Sequence, residues 1–179
     1  MFMEWADNIL QSNFSIVVFD SRQYSKQIPS LLKMLEDKKI CYLCLSRSLN
    51  DIKKFLNENK IDYSNFCFID VLSSHYMLPE FQNNCIFLDS PGELEGLVTA
   101  IENSIALKNC SIILFDTISS LLHYHDSFTI MKLTHNIKSE VVPKNIIKIF
   151  LVNKDEILPK LDHTIVKDLS MFADSVIEL

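Results

Sequence analysis

The sequence predicts a doubly wound α/β fold, a three-layer α-β-α arrangement in which a mainly parallel sheet is covered by helices on both faces. The strand-like runs are apolar throughout instead of alternating, which is typical of strands buried on both sides. Segments with helical apolar spacing separate these runs, as in βα repeats. With 179 residues, 48% of them hydrophobic, the chain is long enough for one domain with a substantial core. We therefore expect a single domain over residues 1–179.

Seven runs are predicted as strands and five as helices. The strands are Ser15–Phe19, Ile40–Leu45, Phe66–Asp70, Cys85–Asp89, Ser111–Asp116, Ile146–Val152 and Ser175–Leu179. The helices are Ser25–Lys38, Leu49–Asn59, Gly92–Leu107, Phe128–Val142 and His163–Phe172. An N-terminal helical segment is expected within residues 1–13, and residues 71–84 are expected to form a long loop.

One helix start is predicted in more detail, in the segment "DSPGELEGL". Ser90 is placed as the N-cap, Pro91 as the first helical residue and Glu93 as the third, which is the arrangement of a capping box.

Charge and hydropathy exclude several classes of protein. The net charge is −6, from 17 basic and 23 acidic residues, and no basic cluster exceeds two in a row. Nucleic-acid binding is disfavoured, because a duplex-binding surface normally carries a basic stripe. The apolar runs are shorter than the roughly 20 residues that a membrane span needs. The N-terminus "MFMEWADNIL" lacks the basic region of a signal peptide. We expect a cytoplasmic protein without a membrane partner.

No metal site is expected. The five cysteines lie in or beside apolar runs, and Cys41 and Cys44 of "CYLC" would point to opposite faces of a strand. We therefore predict reduced core thiols. The histidine pair His123 and His125 has no third ligand that the sequence indicates.

The junction between the first strand and the first long helix is where an α/β protein can hold a phosphate. A phosphate-binding loop needs the pattern G-x-x-x-x-G-K-[ST] there. With Lys26 on the motif lysine, Asp20 and Ser25 replace the two glycines and Gln27 replaces the hydroxyl residue. A carboxylate about 4 Å from a phosphate charge is repelled by roughly 4 kcal/mol at an effective dielectric near 20. No nucleotide cofactor is expected at this turn.

Two other features of the sequence leave alternatives open. Asp116 ends a buried strand in "SIILFDTISSLLHYH", where an ATPase places the aspartate that orients magnesium. The favoured interpretation is that Asp116 caps the following turn, with help from Thr117 and Ser119. Arg22, Tyr24 and Lys26 form a small basic-aromatic patch that could hold an anionic partner, although an ordinary exposed turn is the favoured interpretation there.

The order of several segments resembles the RecA-like domains of the KaiC group of ATPases, widespread in archaea. These segments are "CYLCLSRSLNDIKKFLNENKID", "SPGELEGLVTAIENSIALKNCSIILFDTISSLLHYHD", "IIKIFLVNKDE" and "VKDLSMFADSVIEL". The resemblance extends from Ser15 to Leu179 and implies a RecA-like P-loop NTPase fold that lacks the P-loop. It makes Asp116 similar to the Walker B aspartate. It also places Arg47 and Ser48, in "LSRSLND", where the group has catalytic acids.

These departures favour an inactive member of the fold. Both glycines, the hydroxyl residue and the catalytic acid are missing, while Lys26 and Asp116 remain. The prediction is a catalytically inactive RecA/KaiC-like domain that acts as a regulatory or scaffold protein, without catalytic residues or cofactor. The resemblance implies side-by-side packing with protein partners, which include an active RecA/KaiC-like paralogue or further copies of the chain. The alternative is a divergent ATP-binding protein or ATPase that uses Lys26 and Asp116. The third hypothesis is a nucleic-acid-associated accessory subunit.

Overall fold

The structure is a computed structural model that describes residues 4–76, 83–157 and 164–179. Its seven strands form one sheet with the order β4-β3-β2-β5-β6-β1-β7, and every neighbouring pair is parallel. The strands are β1 Phe14–Phe19, β2 Ile40–Cys44, β3 Phe66–Asp70, β4 Cys85–Phe87, β5 Ile112–Asp116, β6 Ile147–Asn153 and β7 Ser175–Glu178. The parallel α/β prediction is confirmed.

Helices cover both faces of the sheet. They are α1 Glu4–Gln11, α2 Ser21–Leu35, α3 Leu49–Glu58, α4 Ser73–Tyr76, α5 Leu94–Lys108, α6 Ser127–Asn136, α7 Lys154–Ile157 and α8 Ile165–Ser170. A 3₁₀ helix, Ile118–His123, follows β5, and a π-helical turn, Ile137–Val141, follows α6. The apolar sides of α1, α2 and α3 pack on one face of the sheet, and those of α5, α6 and α8 pack on the other. The three layers follow from this division.

The central strands are buried on both faces, as their continuous apolar sequence predicts. Val18 of β1, Leu114 of β5 and Ile149 of β6 have no exposed side-chain surface. Cys41 and Cys44 belong to the cores on opposite faces of β2, as the strand alternation predicts. The five cysteines are free thiols.

The helices after β4 differ from their predicted bounds. The capping box at Ser90 is wrong, because α5 begins at Leu94 and the Ser90 hydroxyl accepts a hydrogen bond from the Gly92 N–H at 3.1 Å within a local turn. The predicted helix Phe128–Val142 is divided at Ile137, where the helix widens into the π-helical turn. The last helix is shorter than predicted, and His163 lies outside the described residues.

Two predicted segments are described in part. Helix α1 lies within the N-terminal segment 1–13. Of the predicted loop 71–84, residues 73–76 form the short helix α4, and residues 77–82 lie outside the described residues. Among the helices of the described chain, none combines the length and the apolar character that crossing a membrane requires.

The carboxyl ends of the parallel strands meet at one edge of the sheet, and a buried aspartate organises it. Asp70, at the end of β3, has no exposed surface. Its Oδ2 accepts hydrogen bonds from the Leu49 N–H at 2.7 Å and the Ser73 hydroxyl at 2.5 Å. Its Oδ1 accepts the N–H groups of Leu72 at 2.8 Å and Ser73 at 2.9 Å. Asp70 therefore fixes the start of α3 against the segment that follows β3.

Candidate functional site

A single residue, Asp20, connects β1 to α2, so this junction has no loop. Its Oδ1 accepts hydrogen bonds from the backbone N–H groups of Arg22 at 2.9 Å and Gln23 at 3.0 Å. Gln23 accepts the Asp20 N–H in return, which completes a capping box. Backbone N–H groups at a helix N-terminus are the donors that a bound phosphate uses. Here the chain's own carboxylate takes them.

The other residues of the predicted phosphate turn lie within α2. The helix start predicted at Ser25 is wrong, because the Asp20 capping box starts the helix four residues earlier, at Ser21. Lys26 is therefore an exposed residue of the second helical turn, beside Ser25 and Gln27. Lys26 lines neither of two cavities that the described residues form at this edge of the sheet.

The predicted basic-aromatic patch does not form as a unit. Arg22 points to solvent with 88% of its side chain exposed and pairs with Asp20 at 3.1 Å. The Arg22 hydrogen bond and the two backbone N–H groups hold the pKa of Asp20 below its usual value. Tyr24, in contrast, turns inward and contacts Asp116.

Asp116 is the centre of a buried polar cluster. Its Oδ2 accepts hydrogen bonds from the Tyr24 hydroxyl at 2.5 Å, the Tyr42 hydroxyl and the Arg47 guanidinium at 3.1 Å. The Asp116 side chain has no exposed surface, and its Oδ1 has no hydrogen-bond partner among the described residues. The interpretation of Asp116 as the cap of the following turn is therefore wrong, because its carboxylate is held by residues from other elements.

Arg47 lies between two aromatic rings and covers Asp116. Its guanidinium carbon is 4.4 Å from the centre of the Tyr24 ring and 4.8 Å from that of Phe55, which are distances for cation–π interaction. The hydroxyl of Tyr24 also accepts a hydrogen bond from this guanidinium. Burial is the largest single effect and opposes the charge of Arg47, but the interactions with Asp116, Tyr24 and Tyr42 together raise the Arg47 pKa.

The two tyrosines of the cluster stay neutral because burial and the nearby carboxylate both oppose the ionisation of their hydroxyl groups. Burial, followed by the negative charge of Asp116, raises the pKa values of Tyr24 and Tyr42 well above the usual value for tyrosine. The cluster therefore contains one carboxylate, one guanidinium and two hydroxyl donors. The Arg47 guanidinium already supplies a positive charge at Oδ2 of Asp116. A magnesium ion that bound this oxygen would have to displace Arg47.

A cleft of about 460 Å³ opens beside this cluster, over the carboxyl ends of β2, β3, β5 and β6. Its polar wall includes Ser46, Arg47, Ser73, His123 and Glu156. A smaller cavity of about 250 Å³ shares Ser46, Arg47 and Glu156 with the cleft and extends to Tyr24 and Thr117. Arg47 therefore faces Asp116 on one side and open space on the other, with 30% of its side chain exposed.

Glu156 is the second acidic group at this edge. Its Oε2 accepts hydrogen bonds from the hydroxyls of Thr117, at 2.6 Å, and Ser119. Burial raises the pKa of Glu156, and the two hydroxyl hydrogen bonds oppose this effect. Thr117 and Ser119, which the sequence suggested as helpers of Asp116, therefore hold Glu156 instead.

Tyr42 and Glu156 were missed at the sequence level. Tyr42 lies within an apolar run that predicts a buried strand, and Glu156 follows Asp155 after another such run, so no local pattern singles out either residue. The one available signal for Tyr42 is its hydroxyl, since a buried tyrosine usually needs a hydrogen-bond partner.

The two histidines of "HYH" do not lie in one site, because His123 lines the cleft and His125 lines a cavity beside Gly92–Gly96. Among the described residues, no three His, Cys, Asp or Glu side chains are grouped so that they could hold a metal ion.

Comparison with solved structures identifies the fold. A KaiC-like protein, PH0186, of the hyperthermophilic archaeon Pyrococcus horikoshii OT3 is similar over 93% of this chain and 72% of its own, with a TM-score of 0.67 at 13% identity. PH0321, an uncharacterized protein of Pyrococcus horikoshii in complex with an unknown peptide, is similar over 98% and 82%, with a TM-score of 0.70 at 14% identity. The flagellar accessory protein FlaH of Methanocaldococcus jannaschii is similar over 93% and 70%, with a TM-score of 0.55 at 14% identity. No family model and no curated protein matches the sequence.

These similarities and the seven-stranded parallel sheet define the fold. The chain has the RecA-like α/β fold of KaiC-like proteins. The predicted resemblance to this group is confirmed at the level of the fold.

Proposed function

We propose that this chain is a catalytically inactive RecA-like domain that acts through protein–protein contact as a regulatory or scaffold subunit. The observation that carries the proposal is the contact of Arg47 with Asp116 at 3.1 Å. Arg47 neutralises the carboxylate that would hold magnesium, and it stands where the resemblance places a catalytic acid. Phosphoryl transfer needs both the metal site and a group that positions the nucleophile.

The junction between β1 and α2 supports the same conclusion. Nucleotide binding in this fold class depends on a loop of backbone N–H groups with a lysine at its end. Asp20 leaves no such loop, occupies the Arg22 and Gln23 N–H donors in the first turn of α2 and brings a negative charge to that position. Lys26, exposed in the second helical turn, is not available to complete the site.

The partner that we propose is another RecA-like subunit, either a second copy of this chain or an active paralogue, with a segment that enters the cleft. The cleft volume of about 460 Å³ is in the range of ligand-binding sites. Tyr124 lies on the cleft and is 45% exposed, which suits an aromatic contact at an interface. The peptide complex of the similar Pyrococcus horikoshii protein also supports a peptide-binding role.

Calorimetric titration with ATP and excess magnesium tests the inactive state. We expect no saturable binding below about 1 mM, which corresponds to about −4 kcal/mol. Lys26→Ala should give the same flat titration as the wild-type chain. Micromolar binding that Lys26→Ala abolishes would contradict the proposal and support the divergent ATPase.

Light scattering after size-exclusion chromatography tests the protein contact. We expect a mass above that of the 20.7 kDa monomer, or a complex with a purified RecA-like paralogue. Tyr124→Glu should weaken this association. Leu107→Glu is the matched control, because Leu107 is 74% exposed near the end of α5, away from the cleft residues. A wild-type chain that stays monomeric and binds no RecA-like subunit contradicts the scaffold role.

A further inference from the structure

Three cysteines lie together at the amino-terminal edge of the sheet, opposite the cleft. Cys41 of β2 is in register with Cys67 of β3, and Cys110 precedes β5 by two residues. The three side chains belong to the core on the α5 face of the sheet. The Sγ atoms of Cys67 and Cys110 are 3.2 Å apart. A disulfide bond is about 2.0 Å long, so these two sulfur atoms need to approach by about 1.2 Å to form one.

A small cavity gives this pair access to solvent. It has a volume of about 200 Å³, and both Cys67 and Cys110 line it. They are 7% and 5% exposed, whereas Cys41 and Cys44 are fully buried. The cavity is smaller than the roughly 300–1,000 Å³ of ordinary ligand sites. A cavity of this volume has room for a reagent of the size of hydrogen peroxide.

The surroundings of the two thiols differ. The hydrogen bonds with the thiols of Cys110 and Cys41 lower the pKa of Cys67, against the effect of its burial. The hydrogen bond to Cys67 and burial raise the pKa of Cys110, although the charges of Lys39 and Lys108 act in the opposite direction. Both lysines also line the cavity. A nearby positive charge favours the thiolate, which is the reactive form of cysteine.

We propose that Cys67 and Cys110 form a thiol oxidation site, which a hydroperoxide converts into an intrachain disulfide bond. The Cys67 thiolate attacks one peroxide oxygen, the O–O bond breaks, and the departing hydroxide takes a proton to become water. Cys67 is then a sulfenic acid. The Cys110 sulfur attacks it, the S–O bond breaks, and a second water leaves as the Sγ–Sγ bond forms. Two thiols lose two electrons, and one hydrogen peroxide is reduced to two waters.

Mass spectrometry of the intact 179-residue chain tests this site. The reduced protein is freed of reductant and treated, while folded, with hydrogen peroxide at a small molar excess. We expect the intact mass to fall by two hydrogens, and peptide mapping to join Cys67 to Cys110. Reduction with dithiothreitol should restore the original mass. No loss of mass under peroxide, or a bridge from Cys67 to Cys41, overturns the proposal.

Single variants then test the order of the two steps. In Cys110→Ser, the sulfenic acid on Cys67 should persist and be trapped by dimedone, because its resolving thiol is missing. Cys67→Ser should give neither disulfide nor adduct. Cys85→Ser is the matched control, because Cys85 lies in β4 outside the cluster, and it should behave as the wild-type chain does. A disulfide that still forms in Cys67→Ser, or dimedone trapped at another cysteine, contradicts the assignment. If a variant does not fold, peptide mapping of the peroxide-treated wild-type chain still tests the proposal.

Discussion

Replacing Arg47 by alanine leaves the Asp116 carboxylate buried without its cation. Asp116 has no exposed surface, and the two charged groups are 3.1 Å apart at their nearest atoms. Unit charges about 4 Å apart attract by about 4 kcal/mol at an effective dielectric of 20. Removing one partner of a buried ion pair generally destabilises a protein by about 3–5 kcal/mol. The Tyr24 and Tyr42 hydroxyls remain as donors to Asp116, so we expect about 3 kcal/mol for Arg47→Ala.

The assay is urea unfolding followed by far-UV circular dichroism, with the free energy of unfolding extrapolated linearly to water. Arg22→Ala is the matched control, because Arg22 also pairs with an aspartate at 3.1 Å but has 88% of its side chain exposed. Surface ion pairs contribute about 0–1 kcal/mol, so this control should change stability little.

A double-mutant cycle with Asp116→Asn separates the ion pair from the packing of Arg47 on the rings. We expect the double variant to be more stable than the sum of the two single effects predicts, by about 2 kcal/mol or more. Additive effects, or a loss below about 1 kcal/mol for Arg47→Ala, would refute the view that Arg47 compensates a buried charge at Asp116.

Three further predictions concern the fold and the edge of the sheet. Leu114→Ala should destabilise the chain by about 2–5 kcal/mol in the same assay, because it opens a cavity between buried strands; a change below 1 kcal/mol would contradict the central position of β5. Asp70→Ala should reduce the free energy of unfolding by about 3 kcal/mol, because it leaves the buried N–H of Leu49 unpaired; hydrogen exchange at Leu49 should rise, and an unchanged rate would argue against this anchor. Burial raises the pKa of Glu156, so the unfolded chain loses the Glu156 proton at a lower pH than the folded chain does. The free energy of unfolding of the wild-type chain therefore falls as the pH rises from 4.5 to the raised pKa. Glu156→Gln should therefore gain stability relative to wild type across that window, at about 1.4 kcal/mol per pH unit. The exposed Glu102→Gln is its control, and an equal slope in both variants would exclude the explanation.

Much of the fold could be predicted from the sequence because it depends on local patterns. Continuous apolar runs such as that around Leu114 predict strands buried on both faces, and β5 is such a strand. Helix ends were predicted less well, because capping depends on single hydrogen bonds. Asp20 was treated as a substitute for a glycine, yet its carboxylate starts α2 four residues earlier than predicted, while Ser90 makes a turn instead of a cap.

The sequence by itself determined that Asp20 and Ser25 stand at the glycine positions of a phosphate-binding loop aligned on Lys26. The resemblance to the KaiC group adds the prediction that Arg47 replaces an acid. The tertiary structure alone decided what Asp116 contacts. Its donors Tyr24, Tyr42 and Arg47 are 92, 74 and 69 positions away along the chain. They meet Asp116 because α2, β2 and the segment after β2 converge on the carboxyl end of β5. No local pattern encodes such a meeting, since a hydrogen bond or an ion pair depends on distance in space and the sequence records only distance along the chain.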